Sequence, residues 1–365
     1  MEKTELQHLI ALTQVEGIGP IVGKELLNFF GSAQNIFSET PKALKTLKRV
    51  GPALAECVGS KKTLVVAENE ISFIEKNNIS TTSFNESSYP ESLKNCVDSP
   101  LLLFYKGNGP LNEKRAVSIV GTRESTSYGR DFVERLVDLL AGKNIAVHSG
   151  LAYGIDITAH KHCLEKGVPT YCSLAHGFDR VYPNKHRGFA NQMLEEGGWI
   201  TEFLSGTNPD RENFPKRNRI VAGISQATIV VESARKGGSL ITADLANAYG
   251  RDVFALPGRV TDTKSAGCNF LIKTNRAHLL ETPQDFLYLM NWDQDKPKAV
   301  QFKMFENLSV LEKGVVKIIQ DQTSIGIDEL AEKLEHSMSE LSTALLLMEF
   351  NGIVRQLPGK TYELA

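Results

Sequence analysis

Apolar runs of strand length alternate with segments of helical spacing through the middle of the chain. The run Ala116–Val120 ends at a polar loop, residues 121–128, and apolar positions at helical spacing follow up to Leu140. The same order recurs when residues 145–147 lead through a glycine-containing loop, 149–154, into a second helix. Two such units in tandem predict parallel strands joined by right-handed crossovers, with both loops at the same edge of the sheet.

The alternation continues beyond these two units, and each later strand leads into a loop that is rich in glycine, basic or both. These strands are predicted at 170–174, 199–203, 227–231 and 252–256. The apolar run 101–105 is expected to add an edge to the same sheet. The predicted fold class is therefore α/β, with a Rossmann-like doubly wound parallel sheet as the central domain at residues 116–290.

Helical spacing also dominates residues 1–78, where two apolar helices are joined by a short glycine-containing bend. A hairpin of helices with Gly17-Ile18-Gly19 at its bend resembles the helix-hairpin-helix motif, in which loop N–H groups contact a DNA phosphate without reading bases. A small helical domain of another kind, such as a SAM-like domain, explains the pattern equally well. Residues 79–115 are predicted to be a connector that contains the edge strand.

The tail, residues 293–365, has the pattern of three helices followed by a β-hairpin, which is typical of a winged-helix domain. Its third helix carries Glu340 and Glu349 but no Lys or Arg, whereas a helix that reads the major groove needs cations. We therefore expect a protein-contact or regulatory role for the tail. Arg355 and Lys360 on the hairpin are the remaining candidates for DNA contact.

The composition is typical of a globular protein of the cytoplasm. The 365 residues are 41% hydrophobic, and no stretch has the layout of a signal peptide or the length of a bilayer-spanning segment. The five cysteines are odd in number, widely spaced and without a Cys-x-x-Cys pair. We expect them to be reduced, which predicts a cytoplasmic protein without disulfides or zinc.

Charge is distributed unevenly, although the net charge of the chain is only −2. Residues 1–115 carry 13 basic and 13 acidic side chains, residues 116–290 carry 20 and 18, and residues 291–365 carry 8 and 12. A nucleic-acid site must therefore be a local cluster, and we expect it in the middle domain.

One local basic cluster lies within residues 210–220. Lys216, Arg217 and Arg219 occupy the start of a predicted helix, where the helix dipole disfavours cations. An anionic ligand with several phosphates would hold this charge, and the neighbouring Phe214 offers a flat face to a base. A salt-bridged surface run is the alternative interpretation of the same residues.

The loops after the first two strands of the middle domain form a second candidate feature. Their glycines and hydroxyls allow backbone N–H groups to approach an anion, and the helix N-termini that follow add positive potential. Arg123 adds a cationic side chain to the first loop. Tight turns, which every α/β protein needs, explain the glycines equally well.

Residue spacing argues against most enzyme and cofactor sites. The first strand lacks a Gly-x-Gly-x-x-Gly loop, and no Gly-x-Ser-x-Gly elbow exposes Ser149 or Ser239 as a nucleophile. His160 and His162 lie two apart on a helix and point to different sides, so they do not make a metal pair. Asp156 is expected to cap a helix because it lacks an acid–base partner. We therefore predict no catalytic residue, no cofactor and no metal.

Six motifs follow one another in the order found in one protein family. They are Ser118-Ile-Val-Gly-Thr-Arg123, Ser149-Gly-Leu-Ala-Tyr-Gly-Ile-Asp156, residues 177–183, Phe214-Pro-Lys-Arg-Asn-Arg219, Gly238-Ser-Leu-Ile-Thr-Ala243 and Leu256-Pro-Gly258. By these motifs the chain resembles the DNA-processing protein A family (DprA, also called Smf). The resemblance covers the middle domain almost from end to end, and helical and winged-helix flanking domains occur in the family as accessories.

This resemblance implies a protein of natural transformation that is not an enzyme. Members of the family bind and protect single-stranded DNA, load the RecA recombinase onto it and form homodimers through the Rossmann-like domain. Single-stranded DNA-binding protein is a further candidate partner.

The resemblance also implies roles for particular residues. Arg123 would hold a phosphate, Phe214 would contact a base, and Arg217 and Arg219 would line the basic pocket. The residues expected to bind single-stranded DNA are Arg123, Ser149, Gly150, Gly154, Lys185, Arg211, Phe214, Lys216, Arg217, Asn218, Arg219, Gly238 and Ser239.

Three places depart from the usual pattern of the family. Gly237 stands where serine is common, Cys268 stands where threonine is usual, and Asn275-Arg276 replaces a glycine-rich turn. These changes concern the detail of the last loop of the middle domain and leave the resemblance intact.

The competing hypothesis is an enzyme, a nucleoside-monophosphate phosphoribohydrolase resembling the cytokinin-activating family. Its motif Pro-Gly-Gly-x-Gly-Thr-x-x-Glu is incomplete here, because Lys236 precedes the glycines and Asp244 stands where glutamate is expected. A third possibility, a general mediator of RecA in repair rather than transformation, fits the same sequence.

Overall fold

A nine-stranded sheet forms the centre of the computed structural model, which describes residues 1–59, 62–293, 308–322, 324–334, 336–351, 353–357 and 360–364. The strands are β1 Ser80–Ser83, β2 Leu102–Lys106, β3 Ala116–Val120, β4 Ala146–Ser149, β5 Thr170–Ser173, β6 Gly198–Thr201, β7 Ala227–Val230, β8 Asp252–Ala255 and β9 His278–Leu279. Their order in the sheet is β1-β2-β6-β5-β4-β3-β7-β8-β9.

The strands from β6 to β9 in this order run parallel, and β1 and β2 are antiparallel. The chain travels outward from β3 to β6 and then returns to the other side of β3 to form β7, β8 and β9. Strands β3, β4, β5 and β7 are buried along their whole length, as expected for parallel strands covered on both faces. The predicted doubly wound parallel sheet is confirmed. The apolar run at 101–105 joins this sheet as β2, but β2 pairs with both β1 and β6, so the edge is formed by β1 and not by β2 as expected.

Besides a 3₁₀ helix at Asn184–His186, eight α-helices accompany the strands in the described residues. They are α7 Glu91–Lys94, α8 Ser127–Leu140, α9 Ile155–Lys166, α10 Arg187–Gln192, α11 Asn213–Ile224, α12 Gly238–Ala248, α13 Ala266–Lys273 and α14 Pro283–Leu289. Helix α8 packs against α9, and α11 packs against α12. Helix α8 begins where the hydroxyl of Thr126 accepts a hydrogen bond from the N–H of Gly129, and α9 ends at Gly167, whose φ of 65° suits glycine.

Where the structure describes the chain ahead of the sheet, it has six helices, and they share the apolar core of the sheet. They are α1 Lys3–Thr13, α2 Pro20–Phe30, α3 Ala33–Ser38, α4 Pro41–Leu44, α5 Pro52–Gly59 and α6 Lys62–Lys76. Leu26 of α2 and Ile36 of α3 belong to the same buried cluster as Leu103 of β2 and Ile220 of α11. Residues Met1–Asn291 therefore form one compact unit, and the domain boundaries expected at 78 and 115 lie inside it.

The second compact unit is Trp292–Ala365. It contains α15 Val310–Gln322, β10 Ser324–Gly326, α16 Ile327–Leu334, α17 Met338–Phe350, β11 Val354–Leu357 and β12 Thr361–Leu364. Strand β12 pairs with both β10 and β11, and Leu341, Leu345 and Met348 of α17 are fully buried in the core of this unit. The predicted pattern of three helices and a hairpin is confirmed, with β10 as an additional short strand.

None of the helices in the described ranges combines the length and the apolar character that a membrane crossing requires.

Candidate functional site

An open cleft of about 700 Å³ lies at the carboxyl ends of β3, β4 and β7. The loops that line it are residues 120–123 after β3, residues 150–152 after β4 and residues 233–238 after β7, and one face of α11 and the start of α12 complete it. The order of the strands reverses between β3 and β7, so the loops that follow these strands diverge and leave a crevice. Open α/β sheets bind their ligands at this position.

The lining face of α11 follows from the helical repeat. Phe214, Arg217, Asn218 and Val221 all line the cleft, and they are spaced i, i+3, i+4 and i+7 along one face of the helix. The ring of Phe214 is partly exposed at the beginning of this face.

Two guanidinium groups lie close to the Phe214 ring. The Cζ atom of Arg123 is 5.4 Å from the ring centroid, and the Cζ atom of Arg217 is 5.9 Å from it. A second aromatic ring, that of Tyr182, has its centroid 6.1 Å from that of Phe214 and is 45% exposed. Three elements that are distant in sequence therefore place an aromatic face beside the exposed cation of Arg123 and the buried cation of Arg217. The ring and the exposed cation are suited to a base and its phosphate.

Arg217 forms part of the floor of the cleft and is buried. Its Nη1 donates to the carbonyl oxygens of Gly150 at 2.5 Å and Ser173 at 2.6 Å, and its Nε donates to Oδ1 of Asn218 at 3.1 Å. Burial lowers the pKa of the Arg217 guanidinium, and the negative charge of Asp156 opposes this effect. Arg217 thus holds the ends of β4 and β5 against α11.

Asp156 shapes the loop that precedes α9. Its Oδ2 accepts hydrogen bonds from the N–H groups of Gly150 at 3.2 Å and Ala152 at 3.3 Å. Burial raises the pKa of the Asp156 carboxyl, whereas the Arg217 guanidinium and these two N–H groups lower it. Asp156 does not cap α9 as expected, because the N-cap is Gly154 and no side chain of the described residues caps this helix. Its role is structural, since it holds the loop that precedes the helix.

Glu232, just after β7, fixes the loop that carries Arg123. Its buried carboxylate accepts hydrogen bonds from the N–H of Thr126 at 2.9 Å and from the Thr126 hydroxyl, and its carbonyl oxygen accepts from the N–H of Thr122 at 2.8 Å. The exposed guanidinium of Arg123 makes no hydrogen bond to any residue in the described part of the chain. It is therefore available to a ligand while its backbone is held.

Helix α12 begins at the edge of the cleft. Gly237 is its N-cap, and Gly238 and Ser239 of its first turn line the cleft beside the exposed Lys236. A helix N-terminus presents backbone N–H groups and a positive partial charge to an anion. The hydroxyl of Ser239 donates to the hydroxyl of Ser233 at 2.9 Å and so supports this turn from inside.

Residues 80–291, more than half of the chain, match the sequence model of the family described as DNA recombination-mediator protein A. The chain belongs to this family. Residues 306–360 match the model described as the DprA winged helix domain, which confirms the winged-helix prediction for the C-terminal unit.

Individual members of the DNA recombination-mediator protein A family support the assignment. The Synechocystis protein Smf is 29% identical over 401 residues, with all of both chains covered. The X-ray structure of DNA processing protein A from Streptococcus pneumoniae matches with 29% identity and a TM-score of 0.68 over 79% of this chain and 98% of that one. A structure titled for the single-stranded DNA binding mode of DNA processing protein A from Helicobacter pylori matches with 27% identity and a TM-score of 0.54 over 59% and 96%. The predicted resemblance to the DprA/Smf proteins is thus confirmed.

Most of the residues expected to bind DNA in this family member are brought together. Those that line the cleft are Arg123, Gly150, Arg211, Phe214, Arg217, Asn218, Gly238 and Ser239. Lys185 and Lys216 are exposed but do not line the cleft. Gly154 does not line it either, and it lies against the backbone of the loop that carries Arg123. Ser149 is fully buried, and its hydroxyl donates to the carbonyl oxygen of Ile119 at 2.6 Å.

Arg219 is a correction to the expected site. It does not line the cleft; its guanidinium forms an ion pair with Glu202 and donates to the carbonyl oxygen of Asp98. Residues two apart on a helix point about 200° away from each other, so Arg217 and Arg219 face opposite sides of α11. Helix α11 begins at Asn213, so Arg217 and Arg219 lie beyond its first turn and not at its start as expected. The charge of Arg219 is balanced by Glu202, which agrees with the salt-bridge interpretation of this segment.

Sequence reasoning missed Tyr182 and Lys236 as lining residues. Tyr182 follows β5 by several residues, and its closeness to Phe214 depends on the path of a long loop. Lys236 lies immediately before the glycines at the start of α12, in a loop that follows β7. This position in the sequence could have indicated that Lys236 lines the cleft.

We predict that Gly154→Ala disrupts the loop that carries Arg123. Gly154 has a φ of 77°, and a Cβ atom there would lie 2.1 Å from the carbonyl oxygen of Thr122. Strain and overlap should lower the free energy of unfolding by about 2 kcal/mol or more, measured by urea denaturation. Gly188→Ala is the matched control, because Gly188 lies in α10 with open space around it, and it should be neutral or stabilising. Equal stability of the two variants would contradict the strained role of Gly154.

Proposed function

We propose that this protein binds single-stranded DNA in the cleft and delivers it to the RecA recombinase during natural transformation. The observation that carries the proposal is the grouping of Phe214 with the guanidinium groups of Arg123 and Arg217 at the reversal point of the sheet. In this role Arg123 contacts a phosphate, Phe214 stacks on a base, and Arg217 supports the floor.

The chemistry of the cleft favours an unpaired strand over a duplex. An aromatic ring inside a cleft can stack only on a base that is free to leave its neighbours, and the bases of a duplex are paired and stacked. Loop N–H groups and exposed cations contact the phosphate backbone, which is the same for every sequence. We therefore propose weak sequence preference and strong salt dependence of the affinity.

Cations around the opening extend the proposed path of the strand. Arg211 and Lys236 line the cleft and are exposed, and the N-terminus of α12 adds positive potential. Lys185 and Lys216 are exposed and do not line the cleft, and we propose that they lie at its rim.

The relationship with DNA processing protein A supports the single-stranded substrate, because the Helicobacter pylori structure is titled for its single-stranded DNA binding mode. The family description as a recombination mediator supports transfer of the strand to RecA. We further propose that the protein acts as a cytoplasmic homodimer without catalytic activity or cofactor, and that it takes over strands coated with single-stranded DNA-binding protein.

The phosphoribohydrolase alternative receives no support from the cleft. Asp244, which would have to act as the catalytic carboxylate, lies outside the lining residues and forms an ion pair with Arg276.

We propose a protein-contact or regulatory role for the winged-helix unit. The outer face of α17 exposes Leu346, Leu347 and Phe350, the last at 90%, and the helix carries no cation. On the hairpin, Arg355 forms an ion pair with Glu363, which offsets its positive charge.

Phe214→Ala should weaken the affinity for oligothymidine by about tenfold, because a base loses its stacking partner. Binding is measured by fluorescence anisotropy at fixed salt. Tyr288→Ala is the control, since Tyr288 is a 76% exposed aromatic residue outside the cleft. Unchanged affinity of Phe214→Ala would contradict the placement of the base.

Arg123→Ala should weaken binding of every DNA sequence equally and reduce the slope of log affinity against log salt by about 0.7, the value for one lost phosphate contact on a single strand. Lys94→Ala removes an exposed cation away from the cleft and should leave this slope unchanged. The same slope for Arg123→Ala as for the unaltered protein would rule out the phosphate contact.

The double variant Arg355→Ala/Lys360→Ala should bind single-stranded and duplex DNA as the unaltered protein does, because the hairpin contributes no contact to DNA. Gel-shift titrations of the full chain with both kinds of DNA measure this. A loss of duplex binding in the variant would show that the hairpin is a DNA contact.

A further inference from the structure

Two polar contacts connect the N-terminal helices to the elements that carry the cleft residues. We propose that Glu70 of α6 is a positioning residue for the DNA site, which it serves by holding the loop that ends at Arg211. This inference rests on the proposed binding of single-stranded DNA in the cleft.

Glu70 is buried, with only 5% of the residue exposed. Its two oxygens each accept a hydrogen bond from the N–H of Ser205 at 3.0 Å, and Oε2 also accepts from the Ser205 hydroxyl at 2.5 Å. Within the described ranges, all hydrogen bonds of this carboxylate go to Ser205. A buried carboxylate is costly unless such donors satisfy it, so the contact joins α6 specifically to this loop.

The loop that begins at Ser205 leads directly to the cleft. The N–H of Gly206 donates to Oδ1 of Asp179 at 2.9 Å, and the carbonyl oxygen of Thr207 accepts from the N–H of Gly177 at 3.4 Å. Four residues further along, Arg211 lines the cleft. The position of Ser205 therefore determines where the chain enters the segment that carries Arg211 and begins α11.

A second contact reaches α11 from α2. Nζ of Lys24 donates to the Ser99 hydroxyl at 2.6 Å and to the carbonyl oxygen of Cys96 at 3.1 Å. Asp98 lies between these two residues, and it accepts hydrogen bonds from Arg219 of α11 and from the hydroxyl of Tyr249. Helix α2 thus reaches the side of α11 that carries Arg219, through residues 96–99, while Phe214 and Arg217 occupy the side that lines the cleft.

The test is Glu70→Ala in the full chain, with affinity for oligothymidine as the measurement. Loss of a negative charge from a DNA-binding protein should by itself strengthen binding, so a weaker affinity indicates lost positioning. We expect the affinity of Glu70→Ala to fall by about three- to tenfold, because in this variant the loop that ends at Arg211 has to be ordered when DNA binds. Glu68→Ala is the matched control: it removes the same charge from an exposed position of the same helix and should not weaken binding.

A double-mutant cycle separates positioning from general destabilisation. If Glu70 acts through the loop of Arg211, Glu70→Ala should have little further effect in an Arg211→Ala background. Additive losses would overturn the proposal, and so would an unchanged affinity of Glu70→Ala.

Two milder variants keep the proposal testable if Glu70→Ala does not fold. Glu70→Gln retains one acceptor for the Ser205 N–H and should recover part of the affinity, and Ser205→Ala removes one of the three hydrogen bonds and should weaken binding by about twofold. Full affinity in both variants would refute the positioning role. Failure of the unaltered protein to bind oligothymidine would instead refute the proposed function.

Discussion

The buried guanidinium of Arg217 is the contact on which the site depends. It joins the carbonyl oxygens at the ends of β4 and β5 to helix α11, and the negative charge of Asp156 favours its charged form. Gly150 is required beside it, because a Cβ atom there would lie 2.5 Å from Nη1 of Arg217. With Arg217 in place, the helical repeat sets Phe214 one turn earlier on the same face, above the floor of the cleft.

This arrangement separates two roles for positive charge. Arg217 and Arg219 are neutralised by protein groups and hold α11 from opposite sides, whereas Arg123 has its backbone fixed through Glu232 and Thr126 and its guanidinium exposed. Burying a cation without partners is costly, so the structural arginines carry their own acceptors. An exposed arginine such as Arg123 can exchange its bound water for a phosphate. A chain with a net charge of −2 can therefore still offer a local site to DNA.

Most of the fold could be predicted from the sequence, because each strand is a short apolar run followed by a loop and a segment of helical spacing. Arg123 was identifiable because it stands in a loop that parallel strands bring to one edge, and Phe214 because it neighbours a basic cluster. The orientation of Arg219 could not be predicted from the sequence, because it depends on which side of α11 faces the cleft. The contacts of Arg217 and Glu202 decide this. The shared core of the N-terminal helices was also beyond the sequence, because helical spacing shows that Leu26 is buried but not that it packs in one core with β2.

A crystal structure of the protein bound to a short oligothymidine tests the central claim most directly. The account predicts a thymine stacked on the ring of Phe214 and a phosphate at the guanidinium of Arg123, with the strand leaving past Arg211. An empty cleft, with the oligonucleotide bound only to the winged-helix unit or to the N-terminal helices, would contradict it.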